Sequence, residues 1–153
     1  MDINKAKSRL AKLCSMKEVC EHDALEKLHK WEIFYEDAQK VINWLITEKF
    51  IDNNRFARFY TRDKYRFNKW GRIKIRYALK LKNISHKDVE DAMTEINDKE
   101  YNEILYNIVE AKLKTTKEDD SYKLKAKVHN HAQSKGYESN LIFNIIDDLL
   151  AKL

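Results

Sequence analysis

Ile33-Phe34-Tyr35-Glu36-Asp37-Ala38-Gln39-Lys40-Val41-Ile42-Asn43-Trp44-Leu45 aligns without a gap on residues 84–96 and again on 137–149, at offsets of 51 and 53 residues. The apolar positions coincide as Ala38/Val89/Ile142, Val41/Ala92/Ile145, Ile42/Met93/Ile146 and Leu45/Ile96/Leu149. Their i, i+3, i+4, i+7 pattern is one face of an α-helix. A repeat near fifty residues marks a tandem architecture of small supersecondary units. Two further helices fit before each copy. The sequence therefore predicts an all-α fold of tandem three-helix modules, about nine helices, over 1–51, 52–97 and 98–153, spread along an elongated body.

Composition agrees. The chain has 153 residues, no proline and only two glycines. Helix interiors exclude both residues, whereas sheets and long loops use them for turns. In the first module, Leu10 and Leu13 mark one helix. Ser15-Met16-Lys17-Glu18 has the form of a capping box opening a second, which carries Val19, Ala24, Leu25 and Leu28. In the second, Asp52 or Asn53 caps a helix running to Phe67, and another spans about 71–82. Asn83 takes the helix-stop position that Gly136 takes in the third module, since both tolerate the left-handed backbone. Ser85-His86-Lys87-Asp88 has the form of another N-terminal cap. Ile104, Leu105, Ile108 and Leu113 mark the first helix of the third module, and about 118–135 its second.

Charge is distributed unevenly. Residues 55–82 hold eleven Lys or Arg and a single acid, Asp63, whereas the whole chain nets +5. Arg55, Arg58, Arg62, Arg66 and Lys69, spaced by 3, 4, 4 and 3 residues, form one helical stripe. Arg72, Arg76 and Lys80 form a second basic edge, with Lys74 directed elsewhere, near Tyr77. With acids almost absent, the usual intrahelical Glu–Lys support is missing. The pattern predicts a basic surface turned to a polyanion or an acidic protein. Phe56, Tyr60 and Phe67 read as anchors of the striped helix, and Phe59 and Tyr65 also read as core. Trp70 fits two roles equally: a ring presented to a base or a partner pocket, or the closure of an inter-helix turn.

At these residues the sequence resembles the RecX family of bacterial recombinase regulators. Phe50-Ile51-Asp52-Asn53-Asn54-Arg55-Phe56-Ala57 is similar to an aromatic-aliphatic-Asp-Asp-x-Arg-Phe-Ala pattern. Residues 70–84, from Trp70-Gly71-Arg72-Ile73 to Lys82-Asn83-Ile84, are similar to a Gly-x-x-Arg-Ile-x-x-Glu-Leu-x-x-Lys-Gly-Ile pattern. Asn53, Ala78 and Asn83 depart from it, standing where Asp, Glu and Gly are common. The resemblance implies tandem three-helix modules forming a curved body, and a non-enzymatic protein that binds the RecA filament on single-stranded DNA. It implies a seat in the filament groove across neighbouring RecA subunits, usually with suppression of ATP hydrolysis, strand exchange and coprotease activity. The residues expected at that interface are Arg55, Arg58, Arg62, Arg66, Lys69, Trp70, Arg72, Lys74, Arg76 and Lys80, with weak binding to bare DNA.

Other function classes find little support. Two cysteines, Cys14 and Cys20, make no disulfide scaffold and point to a reducing compartment. The opening Met1-Asp2-Ile3-Asn4-Lys5 has no apolar run behind it, and no stretch reaches a membrane span, so a cytoplasmic protein is expected; a monomer is expected as well. Cys20, His22 and His29 lack zinc-site spacing. His129 and His131 sit two apart and face different ways on a helix. No phosphate-binding glycine loop exists, and no catalytic site, metal or cofactor is expected. A free-standing helix-turn-helix DNA-binding protein is the alternative reading, and a scaffold holding partner helices between repeats is a third.

Overall fold

The computed structural model describes all residues, 1–153. It has nine helices and no strand: α1 Ile3–Met16, α2 Glu21–Lys30, α3 Tyr35–Thr47, α4 Asn53–Arg66, α5 Arg72–Leu81, α6 His86–Met93, α7 Asp98–Thr115, α8 Ser121–Ser134 and α9 Ser139–Ala151. The three matched segments become α3, α6 and α9. Their shared positions are mostly buried, among them Ala38, Val41, Ile42, Leu45, Val89, Ala92, Ile142 and Ile146.

The residues pack as two compact units. One comprises Met1–Tyr60 and Leu79–Ala92, the other Thr61–Ala78 and Met93–Leu153. In the first unit, α1 and α2 pack on α3. Its core joins Ala6, Leu10, Val19, Ala24, Leu28, Ala38, Val41, Ile42, Leu45 and Ile51, with Trp44 and Phe50 against it. In the second unit α7, α8 and α9 pack mutually. Its core includes Tyr65, Ile75, Tyr101, Leu105, Val109, Val128, Ala132, Tyr137, Ile142 and Ile146. Burying three tyrosine rings demands partners for three hydroxyls, and this requirement shapes the site described below.

Helix ends depart from the sequence reading in one place. Ser15 does not open α2. It lies inside the last turn of α1, where its hydroxyl donates to the Lys12 carbonyl at 2.6 Å. The N-terminus of α2 begins at Glu21 behind Cys20, which offers no side-chain cap. The cap comes instead from α4, where Asn53 Oδ1 accepts from the Glu21 amide at 3.0 Å. Asp52 caps α4, accepting from the Arg55 amide at 3.0 Å, and Ser85 caps α6, accepting from the Asp88 amide at 3.2 Å. Asn83 and Gly136 take the left-handed conformation expected of them (φ 57° and 97°), but so do Glu32, Lys49 and Lys69. A chain with two glycines ends its helices on ordinary residues, at a strain of about 1–2 kcal/mol each.

Candidate functional site

Helices α4 and α5 carry the cationic segment, and the carboxylates missing from their own sequence arrive from other elements. In the first unit, Arg55 Nε donates to Glu18 Oε1 at 2.7 Å, while its terminal nitrogens donate to the carbonyls of Lys49 and Phe50. Arg58 donates to Asn54 Oδ1 at 2.9 Å, and Asn54 in turn donates to Asp88 and Asp91 of α6. Lys82 Nζ sits 2.9 Å from both oxygens of Asp23. Burial of Asp23 opposes its ionisation, but the bonds from Lys82 and His22 outweigh this and hold its carboxyl below the usual range.

The second unit repeats the arrangement. Arg62 reaches Glu95 at 3.2 Å and Arg66 reaches Glu100 at 2.9 Å. Arg72 is the most deeply committed cation. Its side chain is 18 % exposed and pairs with Asp98 at 2.6 Å and Glu138 at 2.9 Å. The guanidinium also lies 4.0 Å from the centre of the Tyr101 ring. The Tyr101 hydroxyl accepts from the Arg72 amide at 3.0 Å and donates to Glu138. Burial, then the bond to Glu138, pushes the Tyr101 hydroxyl far above its ordinary pKa and keeps it a neutral donor. The Tyr137 ring lies tilted by 43° against Tyr101, with centroids 5.2 Å apart, and its hydroxyl donates to the Lys69 carbonyl at 2.8 Å.

The expectation of an unpartnered stripe is thereby corrected. Counting acids along one helix misses acids that tertiary packing brings in, because Glu18, Glu95, Asp98, Glu100 and Glu138 all lie far from their partners in sequence. The exposed pairs, those of Arg55, Arg62 and Arg66, contribute little stability, but all of the pairs spend the cations' charge inside the molecule. Lys69, Lys74 and Lys80 pair with no carboxylate.

Two aromatic readings also change. Phe67 is no anchor: it lies just past the end of α4 and is 78 % exposed, while Tyr65, fully buried, takes that part. Phe59 is half exposed, and Phe56 is buried. The Lys74 ammonium sits 4.5 Å from the centre of the Trp70 ring, with the Lys64 ammonium at 5.2 Å. Trp70 is half-buried and holds cations against its π system.

Elsewhere, His22, Asp23 and Glu26 bring ligand atoms within 4.8 Å of one another. Asp23 already holds Lys82, so the cluster carries its own cation. His129 stacks on Phe143 at 4.3 Å and shares a 2.8 Å hydrogen bond with Ser139, a packing role within α8 and α9. Burial pushes the Cys20 thiol up to about 11, which keeps it from acting as a nucleophile at neutral pH. No helix is long and apolar enough to cross a membrane.

Two family profiles match the chain in order. The second three-helix domain of RecX matches residues 52–93, and the third matches residues 99–146. The chain is 26 % identical over 133 residues to "Regulatory protein RecX" of Clostridium beijerinckii, covering 86 % of this chain and 62 % of that protein. It is 28 % identical over 149 residues to the protein of the same description from Prosthecochloris aestuarii, covering 97 % and 96 %. The chain thus spans less than two thirds of the clostridial relative's length and nearly all of the other's. The crystal structure of RecX from Lactobacillus salivarius superposes with a TM-score of 0.83 at 23 % identity over 96 % of each chain, a likeness of fold.

Proposed function

Because the chain belongs to the RecX family of regulatory proteins, we propose that it regulates the RecA recombinase by binding the RecA filament on single-stranded DNA. The observation that carries this reading is the pair of consecutive domain matches across the basic α4–α5 segment and the helices after it. Regulation then follows from differential binding: a ligand that prefers one filament state shifts the population toward it. Here that state is one with slowed ATP hydrolysis, strand exchange and coprotease activity. The division into modules at 1–51, 52–97 and 98–153 and the cytoplasmic, monomeric state belong to the same proposal.

The contact residues are proposed in two tiers. Lys69, Lys74 and Lys80, with Trp70, form the contact set, and Arg58 and Arg76 stand on the same two helices. Arg55, Arg62, Arg66 and Arg72 shape the elements that present it, and reach a partner only by exchanging one carboxylate for another. Pairing of this extent weighs against a free-standing helix-turn-helix repressor, whose recognition helix needs uncommitted side chains for base edges.

The test is direct. The full chain, added below stoichiometry to RecA, ATP and single-stranded DNA, lowers ATP turnover and co-sediments with the filaments. Unchanged turnover together with absence from the pellet overturns the proposal.

A further inference from the structure

Helix α5 turns an unusual face outward. Ile75 and Leu79 are fully buried, so the opposite side of the helix faces solvent. On that side stand Ile73, Tyr77 and Leu81, spaced by four and exposed at 53 %, 64 % and 59 %. Arg76 and Lys80 interleave with them, because a step of four residues returns to nearly the same angle on a helix. Single exposed apolar side chains are ordinary, but three aligned on the outer face of a ten-residue helix form a ridge. The helix contains four cations and no acid; Arg72 is already paired with Asp98 and Glu138, whereas Lys80, which interleaves with the ridge, pairs with no carboxylate.

We propose that the outer face of α5 docks an acidic, apolar-bearing segment of a partner protein rather than nucleic acid. Phosphates take ammonium and guanidinium groups, and bases take flat π faces. Ile73 and Leu81 supply neither, and aliphatic ridges exposed to water gain only when another apolar surface covers them. Desolvated apolar anchors bordered by charge are the make-up of a protein interface. The complement is a segment whose apolar side chains cover Ile73, Tyr77 and Leu81 while its Asp or Glu side chains meet Lys80. The inference rests on the filament-binding reading for its biological partner and assigns the protein component of the filament to this face.

The experiment has two arms, run on the full chain and on an Ile73→Ser/Tyr77→Ser variant, with the single variant Leu81→Ser as an independent check. Both changes are at exposed positions, and far-ultraviolet circular dichroism verifies the fold. In the first arm, binding to RecA filaments and to bare oligothymidylate is measured by anisotropy. The expected result is filament affinity lowered by roughly tenfold or more, as loss of an interface anchor gives, with oligothymidylate affinity unchanged. An equal loss on oligothymidylate, or no loss on filaments, overturns the proposal. In the second arm, the isotope-labelled chain is titrated with an acidic amphipathic peptide of Glu and Leu. Shifts confined to amides of 73–81, abolished in the variants, support the docking face. Shifts elsewhere, or self-association through α5 in place of peptide binding, overturn it. If the wild-type chain ignores RecA filaments, the filament reading fails while the peptide arm still judges α5.

Discussion

Gly71 and Gly136, the only glycines in the chain, lie against one another. A Cβ on Gly71 would stand 2.2 Å from the Gly136 carbonyl carbon and oxygen, and one on Gly136 would stand 2.4 Å from the Lys74 Cβ. The Gly71 amide donates to the Lys135 carbonyl at 2.8 Å, and the Ile73 amide to the Gly136 carbonyl at 3.0 Å. The first turn of α5 is thus satisfied by the loop after α8, which needs two bare backbones to come close enough. Gly71→Ala is expected to destabilise the protein by about 2–4 kcal/mol, since the clash is with backbone and cannot be relieved by a rotamer change. Gly136→Ala adds a left-handed backbone (φ 97°) to a similar clash. Chemical denaturation followed by circular dichroism reads both losses. Wild-type midpoints in either variant would show that the two loops do not meet.

Arg72 is the next point of leverage. It joins Asp98, Glu138 and the face of Tyr101 beside that glycine contact. Removing one member of a half-buried ion network leaves the others charged and poorly solvated. Arg72→Met is therefore expected to cost about 2–4 kcal/mol. The exposed Arg66 pair, truncated in the same way, should leave the denaturation midpoint where it was, because exposed ion pairs are weak and screened by salt. A charge reversal at Arg72 is correspondingly a poor probe of partner binding, since it unfolds what it is meant to test. Equal effects at Arg72 and Arg66 would contradict the network's part in stability.

The contrast between these arginines shows what the sequence can reveal. Helices were legible because their apolar periodicity and their stop residues are local: Ala38, Val41, Ile42 and Leu45 are all buried on α3, and Asn83 ends α5 in the left-handed region as its residue type suggests. Long-range partners leave no local trace. Asn53 looks like a candidate cap for its own helix, yet its carbonyl oxygen caps α2. Arg72 and Arg66 have the same appearance on a helical wheel, and only the arrival of Glu138 and Tyr101 separates them. Phe67 looked like an anchor by spacing, but α4 ends at Arg66 and the ring falls into solvent.

Alkaline pH should expose the tyrosine network. Burial, followed for Tyr101 by its bond to Glu138, raises the hydroxyls of Tyr101 and Tyr137 well above the ordinary 10.0. For Lys82 burial works the other way, but Asp23 outweighs it and raises its pKa above 10.5. A group whose pKa is higher in the folded state contributes stability that is complete below the unfolded value and is lost as pH rises through the folded one. Stability should therefore hold to about pH 10 and then fall. Of the eight tyrosines, Tyr101 and Tyr137 should ionise only as the fold opens, so ultraviolet titration should show a late step that coincides with the loss of helicity. Tyr101→Phe and Tyr137→Phe should each remove part of that late step. Smooth ionisation of every tyrosine while helicity persists would contradict the buried network.

If the chain's own carboxylates hold the basic stripe in check, removing them should release it. Glu95 and Glu100 sit at the guanidinium groups of Arg62 and Arg66, at 3.2 and 2.9 Å. Neither arginine is deeply buried, so Glu95→Gln with Glu100→Gln should keep the fold while freeing two cations one helical turn apart on α4. Each added phosphate contact on single-stranded DNA steepens the dependence of log affinity on log salt by about 0.7. The double variant should accordingly bind oligothymidylate more tightly at low salt, with a slope steeper than the wild type's by roughly 1.4. The gain should vanish near 0.5 M salt, where exposed charges no longer sense one another. An unchanged slope would mean that Arg62 and Arg66 do not face nucleic acid even when released, leaving Lys69, Lys74 and Lys80 to account for nucleic-acid binding.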